Sequence, residues 1–92
     1  MSRRISFIVT GRVQGVCFRA STVDSAKGLG LTGFVKNARD GSVTGEAQGP
    51  EGKVQEFVEF LQTGPPAARV ENVRHEAIDA RPDENEFSHA RH

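Results

Sequence analysis

Val54, Phe57, Val58 and Leu61 stand at i, i+3, i+4 and i+7, one apolar stripe along a helix. Pro50 fits the first turn, Glu51 favours a helix N-terminus, and Gly64-Pro65-Pro66 ends it. A helix with one apolar face must bury that face against another element. The rest of the chain offers strands for that purpose. In Arg4–Thr10, Ile5, Phe7 and Val9 alternate with Ser6, Ile8 and Thr10, the period of a strand with one face buried. Leu31–Lys36 and Ser42–Gln48 flank ARDGS, whose Asp40-Gly41 pair suits a hairpin turn. Ala68–Ile78 reads as a fourth strand in which Val70 and Val73 are out of phase, so a bulge is expected there.

An earlier helix is predicted over Arg19–Lys27, with Ala20, Val23 and Ala26 on one side. Asp24 reads as an acid near the positive end of its dipole, and Gly28 and Gly30 stop it. The tail from Asp79 is polar, with a short edge strand expected within Glu86–Arg91. Glu51, Lys53, Glu56 and Glu59 read as the solvated face of the second helix.

The order is βαββαβ, an α+β, ferredoxin-like arrangement. Right-handed crossovers place both helices on one face of an antiparallel sheet in strand order 4-1-3-2. Strand three then separates strands one and two, which must run parallel and end at the same edge. The 11–19 loop, the residues from Asn37 onward and Gly64–Ala67 are therefore predicted to meet.

Composition limits what such a domain does. The chain has 92 residues, with Lys+Arg and Asp+Glu both at 12. Zero net charge argues against a protein whose main task is gripping nucleic acid or an anionic membrane. Strand three, SVTGEAQG, has no aromatic and carries Glu46, which disfavours an RNA-stacking surface. One cysteine forms no internal disulfide. The apolar run in MSRRISFIVTGR is too short for a signal peptide, and no stretch approaches a membrane span. The expectation is a cytoplasmic monomer.

Chemistry concentrates in GRVQGVCFR, residues 11–19. A glycine-bearing loop before a helix presents unpaired backbone N–H groups, a nest for an anion. Arg19 adds a planar, permanently charged fork suited to a phosphoryl group. A tight turn followed by a solvated Arg accounts for the same residues, and short loops of this kind are common. The stretch lacks the Gly-Lys-Ser/Thr ending of a Walker A loop and the GxGxxG spacing of a dinucleotide fingerprint. It is not a cysteine-phosphatase loop either, since position 23 is Val. Cys17 is predicted to be a small apolar packing residue. Asn37 is either a turn former or a carboxamide that holds a water molecule. His75, His89 and His92 are expected at the surface, not as metal ligands, with His89 and His92 close by alternation.

VQGVCFR at 13–19 and GFVKNARDGSVTGEAQG at 33–49 resemble the two signatures of the acylphosphatase family. AKGLGL at 26–31 and GPPAARV at 64–70 are similar to it as well. The resemblance covers roughly residues 4 to 78, and treats residues 1–92 as one domain. It implies hydrolysis of acyl phosphates to a carboxylate and inorganic phosphate, without a metal or other cofactor. It further implies that Arg19 binds the phosphoryl group, that Gln14, Gly15, Val16, Cys17 and Phe18 supply backbone N–H donors, and that Asn37 positions the attacking water. Phe34 stands where family members often carry Trp. A non-catalytic anion-binding regulatory module is the alternative from another functional class.

Overall fold

A computed structural model describes residues 2–15 and 17–90. The elements are β1 (Ser2–Arg12), α1 (Phe18–Gly28), β2 (Thr32–Asn37), β3 (Val43–Pro50), α2 (Glu51–Thr63), β4 (Arg69–Ile78) and β5 (Phe87–His89). The sheet order is β4-β1-β3-β2-β5. The predicted 4-1-3-2 order holds, with antiparallel pairing of β1 to β3 and β4 and of β2 to β3. The fifth strand corrects one point. β5 pairs parallel with β2, Gly33 opposite Phe87, so the sheet is mixed. It also narrows the edge strand expected within 86–91. The expected approach of His89 to His92 falls outside the described residues, as do Arg91 and His92 themselves.

The stripe on α2 is buried as its spacing requires: Val54, Phe57, Val58 and Leu61 join Ile5, Phe7, Val9, Val35, Val43 and Ala47 in one core. Phe57 meets Phe7 edge to face at 5.5 Å and Phe87 at 5.8 Å, a geometry aromatic quadrupoles prefer. Phe87 thus ties the C-terminal segment into the core. The bulge is present in β4: Thr10 pairs with Asn72 and Gly11 with Val70, which leaves Glu71 as the extra residue.

Helix α1 differs from its prediction. It starts one residue earlier and buries Phe18, Thr22, Val23 and Ala26. Phe18 takes the inward position, and Ala20, about 200° further round the helix, is exposed. The Thr22 hydroxyl is satisfied by donating to the Phe18 carbonyl at 2.8 Å. Asp24 lies beyond the first turn, which carries no acid, so its role at the positive end of the dipole is not realised. The helix closes with Leu31 N–H donating to Ala26 O at 2.9 Å and Gly30 N–H to Lys27 O at 3.0 Å. This is a Schellman motif, and the left-handed φ of 73° at Gly30 is the conformation it needs.

Between β4 and β5, residues 79–86 cross from one edge of the sheet to the other on the face opposite the helices. Arg4 is held under this crossing with 1% of its surface exposed. Its Nε donates to Glu46 at 2.8 Å, and its Nη1 donates to Glu84 at 2.7 Å and to Gln48 at 3.2 Å. The hydrogen bond to Glu84, more than any other cause, pushes the guanidinium further above its ordinary pKa and outweighs the burial that opposes it. Gln48 donates to the Arg81 carbonyl at 2.9 Å and accepts from the Arg81 N–H at 2.8 Å.

Candidate active site

Because β3 is antiparallel to both β1 and β2, those two strands run parallel and end at one edge. The contacts there are direct. The Gln14 amide, just past β1, donates to the carbonyls of Ala38 and Ser42, each at 2.9 Å. A methyl group placed on Gly64 would come within 2.9 Å of Phe18 Cε2, so the exit of α2 lies at the entrance of α1. The 11–19 loop, the turn after Asn37 and Gly64 are therefore neighbours, as the topology required.

The loop turns sharply before the helix. Gly15 and Cys17 are both left-handed, with φ 73° and 60°. For Cys17 that conformation costs roughly 1–2 kcal/mol relative to a right-handed residue. Cys17 is exposed and caps α1 without a side-chain hydrogen bond, which corrects the prediction that it packs in the core. The loop turns its side chain outward in order to start the helix. The first-turn amides of α1 consequently have no side-chain acceptor, and no acid sits in that turn to compete for them. Phe18 anchors the helix with 1% exposure. Val16 lies outside the described residues. Arg19, in the first turn, is half-buried, and among the described residues it takes part in no ion pair.

Asn37, the last residue of β2, shares by alternation the helix-side face of Gly33 and Val35. Its Oδ1 is buried and has no hydrogen-bond partner. An acceptor left in that state costs about 1–3 kcal/mol, so a donor such as a bound water is chemically favoured there. The turn beyond it is tightly made. Ala38 N–H donates to Ser42 O at 2.8 Å. Asp40 accepts from the Ser42 hydroxyl at 2.6 Å and the Ser42 N–H at 2.9 Å. These bonds, the hydroxyl first, hold the Asp40 carboxyl below its ordinary pKa.

Other features lie elsewhere. His75 and His89 are exposed, and the described residues contain no group of three or more His, Cys, Asp or Glu side chains arranged to hold a metal. A depression of about 480 Å³, bordered by Ser6, Ile8, Arg74 and Glu76, is on the β1–β4 surface away from this edge. A phosphoryl group held by backbone amides and one guanidinium needs no deep cavity.

Two roles escaped the sequence. The Gln14 side chain bonds across this edge; a lone carboxamide in a loop among Val13, Gly15 and Val16 was the available signal. Arg4 was the other, a cation beside Ile5 at the start of the alternating stretch of β1.

The acylphosphatase family model matches residues 5–89. An acylphosphatase of Halorhodospira halophila is 52% identical over 71 residues, 77% of this chain and 77% of that protein. Among solved structures, an acylphosphatase from Coxiella burnetii superposes with a TM-score of 0.92 at 39% identity, covering 97% of this chain and 93% of that one. An acylphosphatase from Bacillus subtilis gives a TM-score of 0.92 at 36% identity, covering 99% and 100%. With a family model spanning nearly the whole fold and relatives near half identity, this chain belongs to the acylphosphatase family.

Proposed function

We propose that the protein hydrolyses acyl phosphates by in-line attack of water on a phosphoryl group. Arg19 and the amides of the 14–18 loop hold that group, and Asn37 holds the water. The observation that carries this reading is the pairing at one sheet edge of two incomplete groups. One is the Arg19 guanidinium, without an ion-pair partner among the described residues. The other is the buried Asn37 Oδ1, an acceptor without a donor.

The reaction asks little more of the protein. The leaving group is a carboxylate, whose conjugate acid has a pKa of about 4, so it departs without a proton. The obstacles are the negative charge of the phosphoryl group and the geometry of attack. Arg19 and the loop amides offset the charge on the equatorial oxygens of a loose transition state. Asn37 accepts a hydrogen bond from the water and fixes its approach. The proton of that water passes to a phosphate oxygen of the substrate. A general base within hydrogen-bond reach of the water would overturn this last assignment.

Residues 1–92 act in this reading as one domain, a cytoplasmic monomer. The exposed thiol of Cys17 supports a reducing compartment, and gel filtration tests the monomer. No helix among the described residues is long and apolar enough to cross a membrane. The decisive assay is hydrolysis of benzoyl phosphate without added metal, with inorganic phosphate as competitive inhibitor. Turnover above background is expected. Phosphate binding without turnover would leave a non-catalytic anion-binding module.

A further inference from the structure

We propose that the Gln14 side chain is a positioning residue, a brace that sets the separation between the phosphate-holding loop and Asn37. The inference rests on the functional reading above and adds to it a role for one side chain.

Gln14 Nε2 lies 2.9 Å from the carbonyl oxygen of Ala38 and 2.9 Å from that of Ser42. Both partners are acceptors only, so the amide must present its NH₂ to them, and its two hydrogens match two carbonyls. These are not arbitrary points on the hairpin. Ala38 directly follows Asn37. Ser42 O also accepts the Ala38 N–H at 2.8 Å, so Gln14 donates to the carbonyls of both residues that this turn-closing bond joins. Among the described residues, no other hydrogen bond joins residues 13–17 to residues 38–42.

The consequence is mechanical. Asn37 sits at a strand end, and Arg19 sits across a loop whose backbone includes two left-handed residues. Without the brace, what joins the two halves is the packing of α1 against β2 and the core beneath them. In-line attack depends steeply on the separation of the water from the phosphorus, and a displacement near 1 Å costs on the order of 10²-fold in rate. Few other side chains serve here. Asn is one methylene too short, Met keeps the length but donates nothing, and an ionised Glu would face two carbonyl oxygens with negative charge.

The test is a double-mutant cycle on kcat for benzoyl phosphate, using Gln14→Met, Asn37→Ala and the pair. Gln14→Met is expected to lower kcat roughly 10- to 100-fold with little change in KM. In the Asn37→Ala background the same change should cost less than about 3-fold, since a brace has no effect once its load is gone. An equal loss in both backgrounds would show that Gln14 acts through the loop or the fold and would overturn the inference. A second measurement needs no turnover. Amide hydrogen exchange at Ala38 should quicken in Gln14→Met and in Gln14→Glu, and unchanged exchange in both overturns the brace. Asn37→Ala with wild-type kcat would instead overturn the reading of Asn37 and the kinetic role of Gln14 with it.

Discussion

The Arg4 guanidinium donates to the Glu84 carboxylate at 2.7 Å across 80 positions of chain. The Arg4 side chain has no exposed surface and that of Glu84 only 17%. Salt therefore screens this pair poorly, and it fastens the 79–86 crossing to the first strand.

Glu84→Gln should therefore destabilise the fold by about 1.5–3 kcal/mol, the range for a hydrogen bond to a charged group. At roughly 4–8 °C per kcal/mol for a domain of this size, a thermal melt should drop by at least about 6 °C, nearly independently of salt. A drop that vanishes in high salt would mark the pair as a surface contact.

Arg19→Gln should fold as the parent does and lose turnover by about 10³-fold or more, the scale for a guanidinium that stabilises phosphoryl charge. Competitive inhibition by inorganic phosphate should weaken in step. Near-parental kcat would remove Arg19 from the mechanism.

Asn37→Ala should lose kcat by at least ~10²-fold, as for one well-placed polar group. Because Oδ1 is a buried acceptor without a partner, the same change should leave stability unchanged or raise it. A stability loss with full activity would make Asn37 a turn former and nothing more.

Asp40 yields a prediction in pH. Hydrogen bonds from Ser42 hold its folded-state pKa below the ordinary value. The stability it contributes is therefore fully present above the unfolded carboxyl pKa and lost as pH falls through the lower folded value. Asp40→Ala should lower the melting temperature more at neutral pH than at strongly acid pH, where the offset fades as pH falls through the folded value. An equal offset at both pH values would mean that the ionised form is not what the turn uses.

Gly45 lies opposite Phe7 and Val35. A Cβ there would overlap the Phe34 carbonyl oxygen and come within 2.7 Å of Phe7 Cζ. Gly45→Ala should cost about 1–3 kcal/mol, as overpacking does, read by urea denaturation. An unchanged midpoint would show that both the Phe34 backbone and the Phe7 ring have room to move.

Local physics was legible along the chain. The α2 stripe, the alternation of Ile5, Phe7 and Val9, the Asp40-Gly41 turn and the β4 bulge each follow from short-range periodicity or backbone preference, and each is present. Handedness then placed the Arg19 and Asn37 segments at one edge, because only a few connections satisfy the βαββαβ order. Where periodicity was weak, the reading shifted. Ala20 and Cys17 face solvent because Phe18 took the inward position at the start of α1.

What only the tertiary structure decided was which polar groups meet. Hydrophobic pattern determines which face of a strand is buried but leaves the partners on the other face open. Arg4, Glu46, Gln48 and Glu84 become one cluster only once register and the crossing of residues 79–86 are set. The same holds at the site. The sequence by itself specified an arginine at a helix start and an asparagine at a strand end. Only the folded chain placed the Gln14 amide between their segments and left Asn37 Oδ1 without a donor, because long-range hydrogen bonds depend on distances that no local preference encodes.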